Sequence, residues 1–183
     1  MKILIVSLFF FISFNSFSQS KDTTANTVKW YSIEEAEKMA KEKPKKIFID
    51  LYTNWCGWCK KLDASTFIHP VIVKYLNENF YAVKFNAETT DTIIFNGTPF
   101  INLYVQENKR APHQLPTFFS GGRIGSYPTM LLLDERFNLV VAIPGFQQPK
   151  DLEPILSYIS KNIYYSKQWE VYQKEFVSEI PNE

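Results

Sequence analysis

The 183-residue chain is predicted to fold as an α/β domain. Residues 47–52 (Ile-Phe-Ile-Asp-Leu-Tyr) are almost unbroken in their apolar character, which is typical of a central strand covered on both faces. A helical pattern of apolar residues follows from Cys59 to Leu76, and a second strand pattern spans residues 80–86. The length suits one domain with a substantial core.

Residues 1–18 have the pattern of a cleaved signal peptide. Lys2 precedes an apolar run over residues 3–12, and Ser18 is a small residue suited to cleavage before Gln19. A membrane anchor would need about 20 apolar residues, and polar residues interrupt this stretch sooner. We therefore expect a periplasmic or secreted protein, with no stable membrane insertion after the signal is removed.

The charges give no indication of a nucleic-acid partner. Lys2 is the only charged residue of the leader, so the mature chain would carry 19 basic and 19 acidic side chains. Its net charge is then close to zero, and the basic residues are scattered rather than massed on one segment.

The chain contains two cysteines, Cys56 and Cys59, separated by two residues. A disulfide between them would close a loop too short to restrain the unfolded chain, because that stabilisation grows with loop length. In an exported protein such a pair indicates a redox site rather than a structural staple.

Capping signals predict where the first helices begin and end. Residues 19–29 are polar and Thr-rich and are expected to form a mobile lead-in. Ser32 offers an N-cap and Glu35 completes a capping box, so a short amphipathic helix is predicted to run from there to Pro44. In the helix that follows the cysteines, Pro70 is expected to cause a kink or a split.

The segment from about residue 89 to 120, between the second strand and the strand at Pro128, has a less clear pattern. Asn96-Gly97 indicates the turn of a small hairpin, whose second strand is expected over residues 100–104. Residues 111–119 are predicted to form a short helix, with His113 on its surface or as a cap.

The C-terminal part is predicted to hold two strands and a long helix. The strands cover residues 128–133 and 139–143 and are joined by a hairpin-length connection, and the helix covers residues 149–165. The domain would thus span residues 30–165. Residues 166–183 would extend it as a helical tail, whose aromatic residues either pack across the domain or form a partner surface.

The order of these features resembles that of the thioredoxin superfamily. Shared features are an apolar strand containing Asp50, the Trp-Cys-x-x-Cys-Lys sequence at residues 55–60, a helix, a strand, and a proline that opens a strand hairpin. The resemblance covers residues 45 to about 161 and includes the Trp-Cys-Gly-Trp-Cys-Lys form of exported bacterial thioredoxin-like proteins. It implies that residues from about 89 to 120 are an insertion between the second strand and the strand at Pro128. It implies a thioredoxin-like fold with a central mixed β-sheet flanked by helices.

The resemblance implies catalytic roles for three residues. Cys56 would be the attacking thiol, and its place at a helix N-terminus independently favours a thiolate. Cys59, one turn later, would be the resolving thiol that displaces the substrate. Asp50 matches a buried acid of the family, and burial among apolar neighbours should raise its pKa and suit it to accept the Cys59 proton. The alternative is a strand-edge carboxylate bonded to nearby backbone.

Five further residues are expected to bind substrate. Trp55 is assigned to an apolar collar around the dithiol, and Gly57 lies beside it. Trp58 replaces the proline of cytosolic thioredoxins, and residues between the cysteines tune the stability of the thiolate. Pro128 matches the cis-proline of the family, which leaves the preceding backbone able to pair with substrate. Tyr127, bulkier than usual there, would stack on substrate or restrict access.

The remaining polar residues give no further site. Lys84 matches a lysine that the family often carries near the acid, but it is equally consistent with an ordinary surface residue. His69 and His113 are the only histidines, and neither has a finger-like spacing from the cysteines. We therefore expect no metal and no cofactor.

Together these features predict an exported thiol-disulfide oxidoreductase that reduces or isomerises protein disulfides. Its partners would be disulfide-containing proteins and a thiol electron donor that the sequence does not identify. The motif lacks the histidine between the cysteines that is common in strongly oxidising relatives, which favours reduction or isomerisation over net oxidation. The alternative is a non-catalytic thioredoxin-like binding module that presents residues 89–120 or the aromatic tail to a partner.

Overall fold

The computed structural model describes residues 27–104, 110–122 and 124–181 and confirms the α/β fold. The predicted leader and most of the predicted lead-in lie outside these residues. The strands are β1 (Trp30–Tyr31), β2 (Lys46–Tyr52), β3 (Phe80–Asn86), β4 (Ile93–Phe95), β5 (Thr98–Phe100), β6 (Thr129–Leu133) and β7 (Leu139–Pro144). The helices are α1 (Ile33–Glu42), α2 (Gly57–Ser65), α3 (Pro70–Asn79), α4 (Gln114–Ser120), α5 (Pro149–Ser160) and α6 (Trp169–Glu175).

A mixed sheet with the strand order β1-β3-β2-β6-β7 forms the centre of the described structure. β2 runs parallel to β3 and antiparallel to β6, and all of its residues except the last are buried. The prediction of a central strand is therefore confirmed.

The two faces of β2 serve two different cores, because successive side chains of a strand point to opposite sides. Ile47, Ile49 and Leu51 pack with α1 and with apolar residues between β3 and β6. Phe48 packs on the other face, with α3 and α5. Asp50 is two residues from Phe48, so its side chain points to the same side of β2 and lies on this second face, where α2 begins.

The predicted helix boundaries at Ser32 and Pro70 are confirmed. The Glu35 N–H donates to Ser32 Oγ at 3.1 Å, and the Ser32 N–H donates to a Glu35 carboxylate oxygen at 2.8 Å, which makes the capping box complete. Pro70 splits the second helical region, since α2 ends at Ser65, a 3-10 turn follows, and α3 begins at the proline itself.

The predicted hairpin of the insertion is confirmed, but its second strand is shorter and earlier than predicted. Asn96 and Gly97 both have positive φ, at 49° and 75°, as a two-residue primed turn requires. The turn joins β4 and β5, which have only three residues each, so residues 101–104 have no opposite strand with which to pair. The Ile101 N–H instead donates to Gln114 Oε1 at 3.0 Å.

The prediction of His113 as a surface residue is wrong, whereas the capping role is confirmed. His113 is fully buried, its ring lies 5.7 Å from that of Phe85, and its Nδ1 accepts from the Leu115 N–H at 3.2 Å as the N-cap of α4. A buried polar ring needs such hydrogen bonds, and the cap provides one of them.

The last predicted helix ends five residues early, and the tail forms a separate helix. Asn162 adopts a left-handed conformation with φ of 58°, which interrupts α5 and leads into a 3-10 turn before α6 begins. The rings of Trp169 and Tyr172 lie 5.3 and 5.0 Å from that of Tyr158. Of the two alternatives for the tail, packing across the domain is therefore observed.

Candidate active site

The two cysteines lie at the junction between β2 and α2 and form a disulfide. Cys56 is the N-cap residue of α2, and its Sγ accepts from the Cys59 N–H at 3.0 Å. Both residues are buried, with 4% and 2% of their surface exposed. In the reduced state the same N–H group and the helix dipole would favour a Cys56 thiolate, because both place positive charge at this sulfur.

Asp50 is fully buried on β2 and pairs in register with Lys84 of the parallel strand β3. The Lys84 Nζ donates to Asp50 Oδ2 at 2.9 Å, whereas Asp50 Oδ1 has no hydrogen-bond partner among the described residues. Burial raises the pKa of Asp50 to about 6, against the opposing effect of the Lys84 charge. The predicted rise in pKa is confirmed, and the alternative of a backbone-bonded carboxylate at a strand edge is wrong.

The interpretation of Lys84 as an ordinary surface residue is also wrong. Its side chain is 23% exposed, and its Nζ also bonds to Asp63, a carboxylate on α2 that was not predicted. Aromatic rings surround the ammonium group at 5.2, 5.3 and 5.5 Å, from Trp30, Tyr52 and Phe67. The four-residue spacing between Cys59 and Asp63 is the one sequence signal that could have drawn attention to Asp63, since it places both on one helix face.

One side of the dithiol is bordered by Trp55 and Tyr127, whose rings meet edge to face at 6.2 Å. Trp55 is half exposed, and its indole N–H donates to the Glu88 carboxylate at 3.0 to 3.1 Å. The guanidinium of Arg110 lies over the same indole at 5.3 Å. Glu88 and Arg110 were not predicted, because neither has a local pattern that points to Trp55. The Tyr127–Pro128 peptide bond is cis, the isomer that the resemblance implied.

The helix side of the dithiol carries a second aromatic pair. Trp58 is 57% exposed and its ring lies 5.6 Å from that of Phe146, which follows β7. Lys61 lies over both rings, at 4.8 and 5.2 Å. Gly57 opens α2 with empty space where a Cβ would stand. The two aromatic pairs thus frame the buried disulfide with exposed apolar surface.

The family model of a thioredoxin-like domain matches residues 33–160. The chain belongs to the thioredoxin-like family. This match includes every predicted site residue and confirms the superfamily that the sequence indicated. A Caenorhabditis elegans protein of uncharacterised function is 34% identical over 64 residues, which are 34% of this chain and only 9% of that protein. The matched part is therefore a small fraction of that relative's length.

Solved structures are similar in fold to this thioredoxin-like domain. A thioredoxin from Thermus thermophilus is 15% identical with a TM-score of 0.52, over 73% of this chain and 87% of that chain. A thioredoxin-fold protein from Helicobacter pylori is 16% identical with a TM-score of 0.54, over 84% and 89%. A provisionally named disulphide-isomerase from Bacteroides thetaiotaomicron is 22% identical with a TM-score of 0.50, over 77% and 94%.

Residues of the predicted insertion, together with Gly121 and Gly122, line an open groove of about 990 Å³. Its lining is largely apolar and includes Phe100, Leu103, Tyr104 and Phe118. Arg110, which stacks on Trp55, precedes the groove residue Pro112 by two positions. The predicted insertion therefore contacts Trp55, beside the dithiol, through Arg110.

Within residues 27–104, 110–122 and 124–181, His, Cys, Asp and Glu side chains form no group of three or more that could hold a metal ion. The absence of a metal requirement stays a prediction. Among the helices that the structure describes, not one has the length and apolar character needed to cross a membrane.

Proposed function

We propose that this protein is an exported thiol-disulfide oxidoreductase that reduces or isomerises the disulfides of other proteins. The observation that carries the proposal is the Cys56–Cys59 disulfide at the N-terminus of α2. The buried Asp50 supports it, because a carboxylate with a pKa of about 6 is matched to proton transfer near neutral pH.

Reduction would proceed in two exchange steps. The Cys56 thiolate attacks one sulfur of the substrate disulfide, and the other substrate sulfur leaves as a thiolate. Cys59 then gives its proton to Asp50, and its thiolate attacks Cys56 Sγ and releases the second substrate sulfur. Two electrons pass to the substrate, and the Cys56–Cys59 disulfide forms. A thiol donor restores the dithiol. In isomerisation, a second substrate thiol resolves the mixed disulfide instead.

Two exposed indole rings and the half-buried rings that pack on them support a polypeptide as the substrate. Trp55, Tyr127, Trp58 and Phe146 offer apolar surface on two sides of the dithiol. Such rings bind apolar side chains at little cost in conformational entropy. Pro128 would leave the backbone before it able to pair with an extended substrate strand, as the resemblance implies.

Trapping tests this function. The Cys59→Ser variant is expected to retain client proteins as mixed disulfides at Cys56, because the resolving thiol is missing. Dithiothreitol should release these clients, and the Cys56→Ser/Cys59→Ser double variant should capture none covalently. The intact mass of the variant recovered from an expressing cell tests the export, with loss of residues 1–18 expected. No covalent client and an ordinary Cys56 thiol pKa would contradict the function.

The direction of the reaction is tested by the redox potential of the dithiol. We expect a value closer to about −270 mV, as in thioredoxin, than to about −120 mV, as in a strong oxidant. The reason is that Gly57 and Trp58 between the cysteines provide no histidine to stabilise the thiolate. Equilibration in dithiothreitol buffers, followed by tryptophan fluorescence, measures the potential, because Trp55 and Trp58 are neighbours of the cysteines in the chain. A value near that of the strong oxidant would reverse the assignment.

A second candidate function is non-catalytic binding through the insertion. The apolar groove beside Phe118 is the observation that favours it. In that case the Cys56→Ser/Cys59→Ser double variant would hold the same partner as the wild-type protein, and dithiothreitol would not release it. The trapping experiment therefore separates the two functions.

A further inference from the structure

Lys84 lies between two carboxylates that come from different elements. Its Nζ bonds to Asp50 Oδ2 on β2 at 2.9 Å and to Asp63 Oδ1 on α2. The two acids differ in exposure, because Asp50 is fully buried whereas the Asp63 side chain is 43% exposed. One ammonium group thus forms hydrogen bonds to a buried carboxylate and to a partly exposed carboxylate at the same time.

The Lys84 ammonium has little room to leave this position. Trp30 of β1, Tyr52 of β2 and Phe67 of the 3-10 turn surround it with aromatic rings at 5.2 to 5.5 Å. Cations are attracted to the faces of such rings. Among the described residues, the charged groups that bond to Lys84 are Asp50 of β2 and Asp63 of α2, and the titratable side chain whose ring contacts it is Tyr52. The balance of charge at Asp50 therefore depends on very few groups.

Asp63 is also tied to the dithiol through α2. Cys59 and Asp63 are four residues apart in this helix and therefore lie on the same face, one turn from each other. The face that carries the resolving thiol thus also carries the second carboxylate of the Lys84 network.

We propose that Asp63 is a positioning residue for the resolving step. Asp63 shares the Lys84 ammonium group with Asp50 and so keeps Asp50 a strong proton acceptor for the Cys59 thiol. The inference rests on the proposed function. In this step the Cys59 S–H proton moves to Asp50, the Cys59 sulfur bonds to Cys56 Sγ, and the bond from Cys56 to the substrate sulfur breaks with its electron pair leaving on that sulfur.

Burial and two neighbouring charges act on the pKa of Asp50 with different signs. Burial is the largest cause of its raised pKa, the positive charge of Lys84 lowers that pKa, and the negative charge of Asp63 raises it again. Asp63 also draws the ammonium group towards itself, which weakens the stabilisation of the Asp50 carboxylate. Removal of Asp63 and removal of Lys84 should therefore change the proton affinity of Asp50 in opposite directions.

The experiment follows the reduced protein in its reaction with 5,5′-dithiobis(2-nitrobenzoate) by stopped flow. Cys56 releases the first thionitrobenzoate, and the attack of Cys59 on the mixed disulfide releases the second. The rate of this second release should rise with pH through the pKa of Asp50, and we call this rise the acid limb of the pH profile. In Asp63→Asn the acid limb is expected at lower pH, by about half a pH unit or more, and in Lys84→Met it is expected at higher pH.

Two controls keep the result specific. Asp63→Glu should restore the wild-type limb, because it keeps the charge. Glu78→Gln removes an exposed carboxylate from α3 and should leave the limb where it is. An unmoved limb in Asp63→Asn, or a shift in the same direction as in Lys84→Met, would overturn the role of Asp63. A wild-type protein that releases no second thionitrobenzoate would overturn the proposed function itself.

Discussion

Replacing Cys56 by serine is expected to lower the rate of insulin disulfide reduction by at least about a thousandfold. The hydroxyl of serine is not ionised at neutral pH, so the helix N-terminus of α2 has no thiolate to stabilise. The Cys59 thiol cannot substitute for it, because Cys59 lies one turn inside α2 and not at the N-cap, where the unpaired N–H groups favour a thiolate. Turbidity of the reduced insulin chains, with dithiothreitol as donor, measures the rate.

The Cys59→Ser variant serves as the companion of this experiment. It should also lose turnover, yet its Cys56 should still react with iodoacetamide, with a thiol pKa below the ordinary value of about 8.5. The pH dependence of that alkylation gives the pKa directly. Unchanged insulin reduction in both single variants would remove the enzyme hypothesis.

Replacing Asp50 by asparagine is expected to raise the free energy of unfolding at pH 7 by about 3 kcal/mol. The pKa of Asp50 is about 6 in the folded protein, above its ordinary value of 3.8. A carboxyl group with a raised pKa holds its proton more tightly when folded, so the folded state loses stability as pH rises through this window. Asparagine has no proton to lose and avoids that loss.

The pH dependence makes the prediction specific. At pH 3 the wild type and Asp50→Asn should unfold at similar urea concentrations, because Asp50 is neutral there, and the difference should grow between about pH 4 and pH 6. The Glu78→Gln variant should stay within about 0.5 kcal/mol of wild type throughout. Equal stability of the oxidised wild type and Asp50→Asn at pH 7 would show that the buried carboxylate carries no such penalty.

The same substitution should slow the resolving step, since an asparagine side chain cannot accept the Cys59 proton. General base catalysis contributes about 10² or more to such steps, and we expect the second thionitrobenzoate release to slow accordingly at pH 7. The first release, which Cys56 carries out, should change far less. A protein that is more stable and yet slower would thus identify Asp50 as a functional rather than a structural residue.

Much of the site could be predicted because its signals are local. The apolar run around Asp50, the N-cap position of Cys56 and the helix break at Pro70 each depend on residues close in the chain. The burial and raised pKa of Asp50 followed from its apolar neighbours on β2. Local signals were less reliable at His113 and in residues 101–104, where a buried cap and the length of β4 decided the outcome.

The sequence by itself determined the dithiol, its position before a helix, and the buried acid on the preceding strand, because these depend on neighbours in the chain. Only the tertiary structure decided which groups act on that acid and on the rim. Lys84 reaches Asp50 and Asp63 across 34 and 21 residues, and Glu88 reaches Trp55 across 33. Such contacts follow from strand order and helix docking, and the pattern around either residue alone does not contain them.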